Sequence, residues 1–304
     1  MAAPPTTPPP VDVHHHAILP RYRAELESLG IGAQPGVGFP PWTPEASLDW
    51  LDSAGIGKAL LSVASPGFFF GDHAQTVRLT AMCNEDLMRL RDRHSGRFGV
   101  FATVPLPCLA ESLDEVERAL GRRAFDGVAL LTHYGGGRLG EPRWSELLSL
   151  LDDHGALVHV HPTVPHEWPA DAPLRPSLLD YPFETTRTFL TLASHRAFSR
   201  YPRIRWIFSH GGGTVPFLED RLTAGIDGSP LGGGDTMRQA MTVSCFDTAL
   251  LGDPALAALT TFAGRDRILF GSDLPFVNTT RATALATRYS RMAETYPSER
   301  HRVR

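Results

Sequence analysis

Short, uninterrupted apolar runs alternate with helix-period stretches along almost the whole chain, and this alternation constrains the fold more than any other feature. The runs are VDVH (11–14), KALLSVA (58–64), RFGVFATVPL (97–106), DGVALLTH (126–133), ALVHVHP (156–162), RIRWIFSHGG (203–212), MTVSCFDT (241–248) and RILFGSDLP (267–275). Runs without polar alternation suit parallel strands buried on both faces. Between them lie amphipathic segments such as PEASLDWLDSAG (44–55), with Gly55 as its C-cap, and PRWSELLSLLDDHG (142–155). Eight strand–helix units predict an α/β fold of one domain: a (β/α)8 TIM barrel, which takes about 250 residues. Residues 1–10, MAAPPTTPPP, read as a Pro-rich flexible tail, and 11–304 as the barrel. Two segments, 19–45 and 162–183, follow strand ends and are expected to be loop inserts over the C-terminal face.

Composition removes several classes of partner. The net charge is −4, and no basic stripe exists, so neither nucleic acid nor an anionic membrane is expected. No apolar run approaches the roughly 20 residues that a bilayer demands. The first residues lack the charged and apolar regions of a secretory signal. Cys83, Cys108 and Cys245 are odd in number and form no CxxC pair, which suits a reducing cytoplasm.

In a barrel, polar side chains at the C-terminal strand ends are where catalysis is expected. Here those ends carry potential metal ligands. The first strand ends in His14, His15 and His16, the fifth in His159-Val160-His161, the sixth in His210 and the eighth in Asp273. Side chains alternate along a strand, so His14 and His16 share a face and His15 points the other way. Imidazoles and a carboxylate suit Zn2+ and similar divalent metals. His14, His16, His161 and Asp273 supply four ligands. His210 either completes the shell or handles a proton. The same parity places Asp12 with His14 but deeper, in a supporting role, and Asp247 ends the seventh strand as a candidate partner to the ligands.

VDVHHHAILP, LVHVHP, IFSHGGGTVPFLEDR and LFGSDLPF, in this order across nearly the whole chain, resemble the amidohydrolase superfamily. More narrowly they resemble its non-oxidative decarboxylase branch, which includes aminocarboxymuconate semialdehyde decarboxylase and fungal 6-methylsalicylate decarboxylase. The resemblance implies one divalent metal ion, Zn2+ first and Mn2+ second, held by His14, His16, His161 and Asp273, with His210 and Asp273 catalytic. It also implies a homodimer. Binuclear relatives bridge two metals with a lysine at the end of strand 4. The only lysine here, Lys58, starts strand 2.

The implied reaction is decarboxylation of a small hydroxyaromatic or unsaturated acid. The alternative is a hydrolase or hydratase acting on a lactone, ester or amide with the same metal. Candidate substrate contacts are Phe68 in SPGFFFGD, Trp42 in the first insert, His133 at the end of strand 4, and Arg187. Each has a structural alternative. The aromatics also suit core packing, His133 a loop hydrogen bond, and Arg187 an i, i+3 ion pair with Glu184. Gly211, Gly212 and Gly213 are expected to permit close backbone approach.

Overall fold

The computed structural model describes residues 9–34, 37–63, 65–122, 124–164, 174–227 and 235–295. Its strands are β1 (Val11–His16), β2 (Lys58–Ser62), β3 (Phe98–Ala102), β4 (Gly127–Leu131), β5 (His133–Tyr134), β6 (Gly137–Arg138), β7 (Leu157–His161), β8 (Arg205–Phe208), β9 (Ser244–Asp247) and β10 (Ile268–Leu269). Eight of them pair in parallel, in the order β1-β2-β3-β4-β7-β8-β9-β10. The backbone after β10 then meets β1. The Val13 N–H donates to Phe270 O at 2.9 Å, the Asp273 N–H to His14 O at 2.9 Å and the His16 N–H to Leu274 O at 2.7 Å. These bonds close the barrel, as the alternation predicts.

The helices are α1 (Pro20–Ser28), α2 (Pro44–Ala54), α3 (His73–Arg93), α4 (Leu109–Val116), α5 (Ser145–Asp153), α6 (Pro176–Ser194), α7 (Ala197–Arg200), α8 (Glu219–Asp227), α9 (Met237–Val243), α10 (Asp253–Ala263) and α11 (Thr279–Thr295). Local chemistry sets their ends. Thr43 Oγ1 accepts the Ala46 N–H at the start of α2, Pro44 occupies its first turn, and Gly55 closes it at φ 69°.

Both faces of the strands are buried. Val13, Leu60, Phe101, Ala129, Leu157, Ile207 and Leu269 form one layer inside the barrel. Ala59, Leu61, Val100, Val128, Leu130, Val158, Val160 and Phe208 belong to the larger cluster shared with the helices. This double burial explains why the strands read as continuous apolar runs.

Three expectations are corrected in detail. In the run 241–248, Met241–Val243 belong to α9, because Thr236 and Gln239 form a capping box that nucleates a helix there. The strand begins only at Ser244. The run 203–212 is a strand only over Arg205–Phe208, since His210 and the glycines after it turn away from the sheet. Finally, β1 shifts register between Asp12 and His15. That bulge breaks simple alternation, so Asp12 bonds to His15 instead of sharing a face with His14.

The insert at 19–45 carries α1 and a short bridge between Gln34 and Val37. Of the second insert, residues 165–173 lie outside the described residues, and residues 176–183 form the start of α6. Most of the N-terminal tail, residues 1–8, is likewise outside them. A small hairpin, β5–β6, follows β4 and was not anticipated.

Candidate metal centre

Four strand ends bring their polar side chains to one point. His14 Nε2 and His16 Nε2 lie 2.9 Å apart. Asp273 Oδ1 sits 3.3 Å from the first and 3.2 Å from the second. The His161 ring lies 5.1 Å from that of His14 and 4.9 Å from that of His16. His210 faces them from the side, its Nε2 3.6 Å from Asp273 Oδ2. All but His210 are buried.

The outer ring nitrogens decide what the inner ones can do. His14 Nδ1 donates to Asp247 Oδ2 at 2.8 Å, and His161 Nδ1 to the Pro162 carbonyl at 2.8 Å. His16 Nδ1 lies 3.1 Å from Ser62 Oγ. A neutral imidazole that donates from Nδ1 presents a lone pair at Nε2. Inward lone pairs beside a buried carboxylate are the donor set of a divalent cation, with the outer partners holding each ring in place. The residues therefore fit such an ion. Among the described residues, ligand atoms of His14, His161, His210 and Asp273 all lie within 4.8 Å of one another.

Asp273 is held well below the usual carboxylate range: burial opposes this, but the facing imidazoles of His14, His16 and His210 prevail. Asp247 is depressed too, against burial, by the charge and hydrogen bond of His14. His14 is pushed up to about 10, since Asp247 and Asp273 outweigh its burial. Burial, aided by the charge of His14, pushes His16 down to about 4. Burial, with the neighbouring histidines, also carries His161 well below its ordinary value. The two buried carboxylates raise the proton affinity of His14, and a divalent cation at the inward nitrogens competes for that same place.

Both side chains expected to handle protons sit on left-handed backbone, His210 at φ 53° and Asp273 at φ 60°. Such conformations are costly for residues with a Cβ. They are held by the Asp273 N–H donating to His14 O and the His210 N–H donating to Asp247 Oδ1, both at 2.9 Å. The glycine prediction also holds. A Cβ on Gly213 would lie 2.1 Å from Pro182 O, and one on Gly212 2.7 Å from the Phe246 ring.

Above the cluster opens a cavity of about 290 Å³. His161, His210 and Asp273 form part of its lining, and Tyr181, Arg175 and Phe276 join them. The amidohydrolase sequence profile spans residues 11–302. The chain belongs to the amidohydrolase family. A 6-methylsalicylic acid decarboxylase of Penicillium expansum is 35% identical over 274 residues, 87% of this chain and 84% of its own. The Aspergillus aculeatus protein described as 6-methylsalicylic acid decarboxylase acuB is 34% identical over 277 residues, with the same shares. A crystal structure described as an amidohydrolase II superposes with a TM-score of 0.83 at 28% identity, covering 91% of this chain and 90% of that one. Within the amidohydrolases the chain lies in the decarboxylase branch that its motifs resemble.

The remaining candidates of this amidohydrolase separate. Phe68 and His133 line a second cavity beside the first. Trp42 lines neither cavity. Its indole N–H donates to Ser47 Oγ at 2.9 Å, and Ser47 in turn meets His15 Nε2 at 2.8 Å, so Trp42 supports the outer side of β1. Arg187 also lines neither. It is exposed and donates to Glu184 Oε1 at 2.8 Å, the ion pair its spacing allows. Glu184 binds His133 and Arg138 as well, and these partners hold it down to about 2 against the opposing effect of burial. Asp247 proves more central than its position alone indicated, touching His14, His159 and the His210 backbone. Tyr181, Arg175 and Gln34 were missed; they lie in or beside the inserts, where no periodicity marks them.

Proposed function

We propose that the chain is a metal-dependent, non-oxidative decarboxylase of a small hydroxyaryl carboxylic acid, like 6-methylsalicylate. One observation carries the reading: the donor set sits in a chain 35% identical, over most of its length, to a 6-methylsalicylic acid decarboxylase. His14, His16, His161 and Asp273 hold one divalent ion, and this donor set favours zinc, with manganese second. When bound, such an ion would supply Lewis-acid polarisation of the acid's oxygens and so of its ring.

The protein's own residues handle the proton. Breaking the ring–carboxylate bond requires an electron sink, and protonation of the carboxylated carbon makes the ring that sink. His210 passes a proton to Asp273, 3.6 Å away, and Asp273 delivers it to the carbon. Carbon dioxide leaves, and the electrons of the broken bond restore aromaticity. Phe276 and Tyr181 offer faces against which the substrate ring packs.

Residues 11–304 act as one catalytic barrel behind the tail. A reducing cytoplasm is the proposed location, which three free thiols support. A homodimer is proposed, with the exposed Leu178, Leu179 and Phe183 of α6 as supporting apolar surface. No described helix is long and apolar enough to cross a membrane. Light scattering tests the dimer; a strict monomer would remove it.

Mass spectrometry of products tests the reaction. The zinc- or manganese-loaded protein is given a panel of hydroxybenzoates and small lactones. Loss of carbon dioxide from a hydroxybenzoate is expected. Addition of water to a lactone instead would make the protein a hydrolase.

A further inference from the structure

The open space does not end at the metal-facing cavity. A second cavity of about 460 Å³ adjoins it, and the two share Gln34, Ser65 and Tyr181 in their linings. Its walls include Phe68, Phe69 and Phe70 after β2, together with Leu131, Tyr134 and Ile31. These walls are braced from behind. The Phe68 ring packs 5.4 Å from Tyr22, and Phe69 lies 5.6 Å from His73. The polar groups at the wall are already engaged. Tyr134 Oη accepts the Leu131 N–H at 2.5 Å, the Thr163 N–H donates to Thr132 Oγ1 at 2.9 Å, and His133 Nε2 is taken by Glu184. At the junction, Gln34 Oε1 is buried without a hydrogen-bond partner among the described residues. Tyr181 Oη lies 3.0 Å from Ser65 Oγ, so these two side chains form a braced neck.

An apolar chamber with satisfied walls and a polar neck suits an apolar group attached to a polar one. We infer that the second cavity receives an extended alkyl or aryl substituent of the substrate, so that the preferred acid is a hydroxybenzoate bearing a group larger than methyl beside its carboxylate. This inference rests on the decarboxylase reading for the identity of the acid, and on the cavity for its substituent.

The test uses 3-methyl- and 3-pentyl-2-nitrophenol, in which a nitro group stands where the carboxylate would be, so that neither can lose carbon dioxide. Calorimetry on the metal-loaded protein should show the pentyl compound binding more tightly, by about fourfold per buried methylene and on the order of 100-fold in all. Ile31→Trp fills the chamber from its half-exposed rim and should shrink that ratio at least tenfold. Phe69→Trp, from another wall, guards against a misfolded first variant. Carbon dioxide release from 6-methyl- and 6-pentyl-2-hydroxybenzoate is followed in parallel. Equal affinities for the two nitrophenols, or a ratio unmoved in both variants, would overturn the inference even if carbon dioxide is released. A retained ratio with no release from any acid would support the chamber and sink the decarboxylase reading.

Discussion

His14 Nδ1 and Asp247 Oδ2 meet at 2.8 Å beneath the cluster, both fully buried. This bond fixes which nitrogen of His14 faces inward. Asp247→Asn keeps an oxygen for the His210 and Ala249 N–H groups but sets an amide N–H against His14 Nδ1. His14 must then turn its lone pair outward. Metal affinity should fall about 10- to 100-fold with the fold intact. Competition against a graded chelator measures this, and unchanged affinity would refute the role given to Asp247.

His210→Asn suits the left-handed backbone at this position, since Asn tolerates φ near 53°. Metal content should be retained, because four other side chains remain to hold it. Turnover should drop about 100-fold or more if His210 handles the proton. Single-turnover kinetics on the metal-loaded variant is the check, and near-normal rates would remove His210 from the chemistry.

Gly271 makes room for the centre. A Cβ there would lie 2.9 Å from His14 Cβ and 3.0 Å from Asp247 Cβ. Gly271→Ala should therefore cost about 1–3 kcal/mol and weaken metal binding at the same time. Urea unfolding and metal titration of the same sample read both effects, and a change in neither would show that the strands adjust freely.

The acid limb of stability should depend on Glu184. Its carboxyl ionises near 2 when folded and near 4.5 as an ordinary side chain, so the folded state binds fewer protons in between. Its contribution is complete above about pH 4.5 and disappears as the pH falls through 2. Glu184→Gln should cost about 1–3 kcal/mol at pH 7. Denaturation across pH 2 to 7 should show wild type and variant converging at the acid end.

Arg187→Ala should leave KM for an acid substrate within about twofold, because the side chain is exposed and pairs only at the rim of the Glu184 network. A KM raised tenfold would restore Arg187 as a substrate clamp.

His14, His16, His161 and Asp273 were legible because each ends an apolar run, and side-chain direction along a strand is a local property. Asp12 shows where that reasoning stops. One register shift in β1 reverses its partner, and the shift depends on pairing with β2, 46 residues away. Arg187 and Trp42 were plausible contacts by residue type. Their neighbours, Glu184 and Ser47, are close in sequence, but which side of the helix or loop faces the cavity is set by packing.

The sequence by itself determined the barrel, the C-terminal site, and the residue types available there, because hydrophobic period and strand-end position are encoded within a few residues. Only the tertiary structure decided that Asp247 orients His14, that Glu184 gathers His133, Arg138 and Arg187, and that two cavities meet at Tyr181 and Ser65. Most of these contacts join residues dozens to hundreds of positions apart, and they exist only once closure of the barrel brings the strand ends and inserts to a common face.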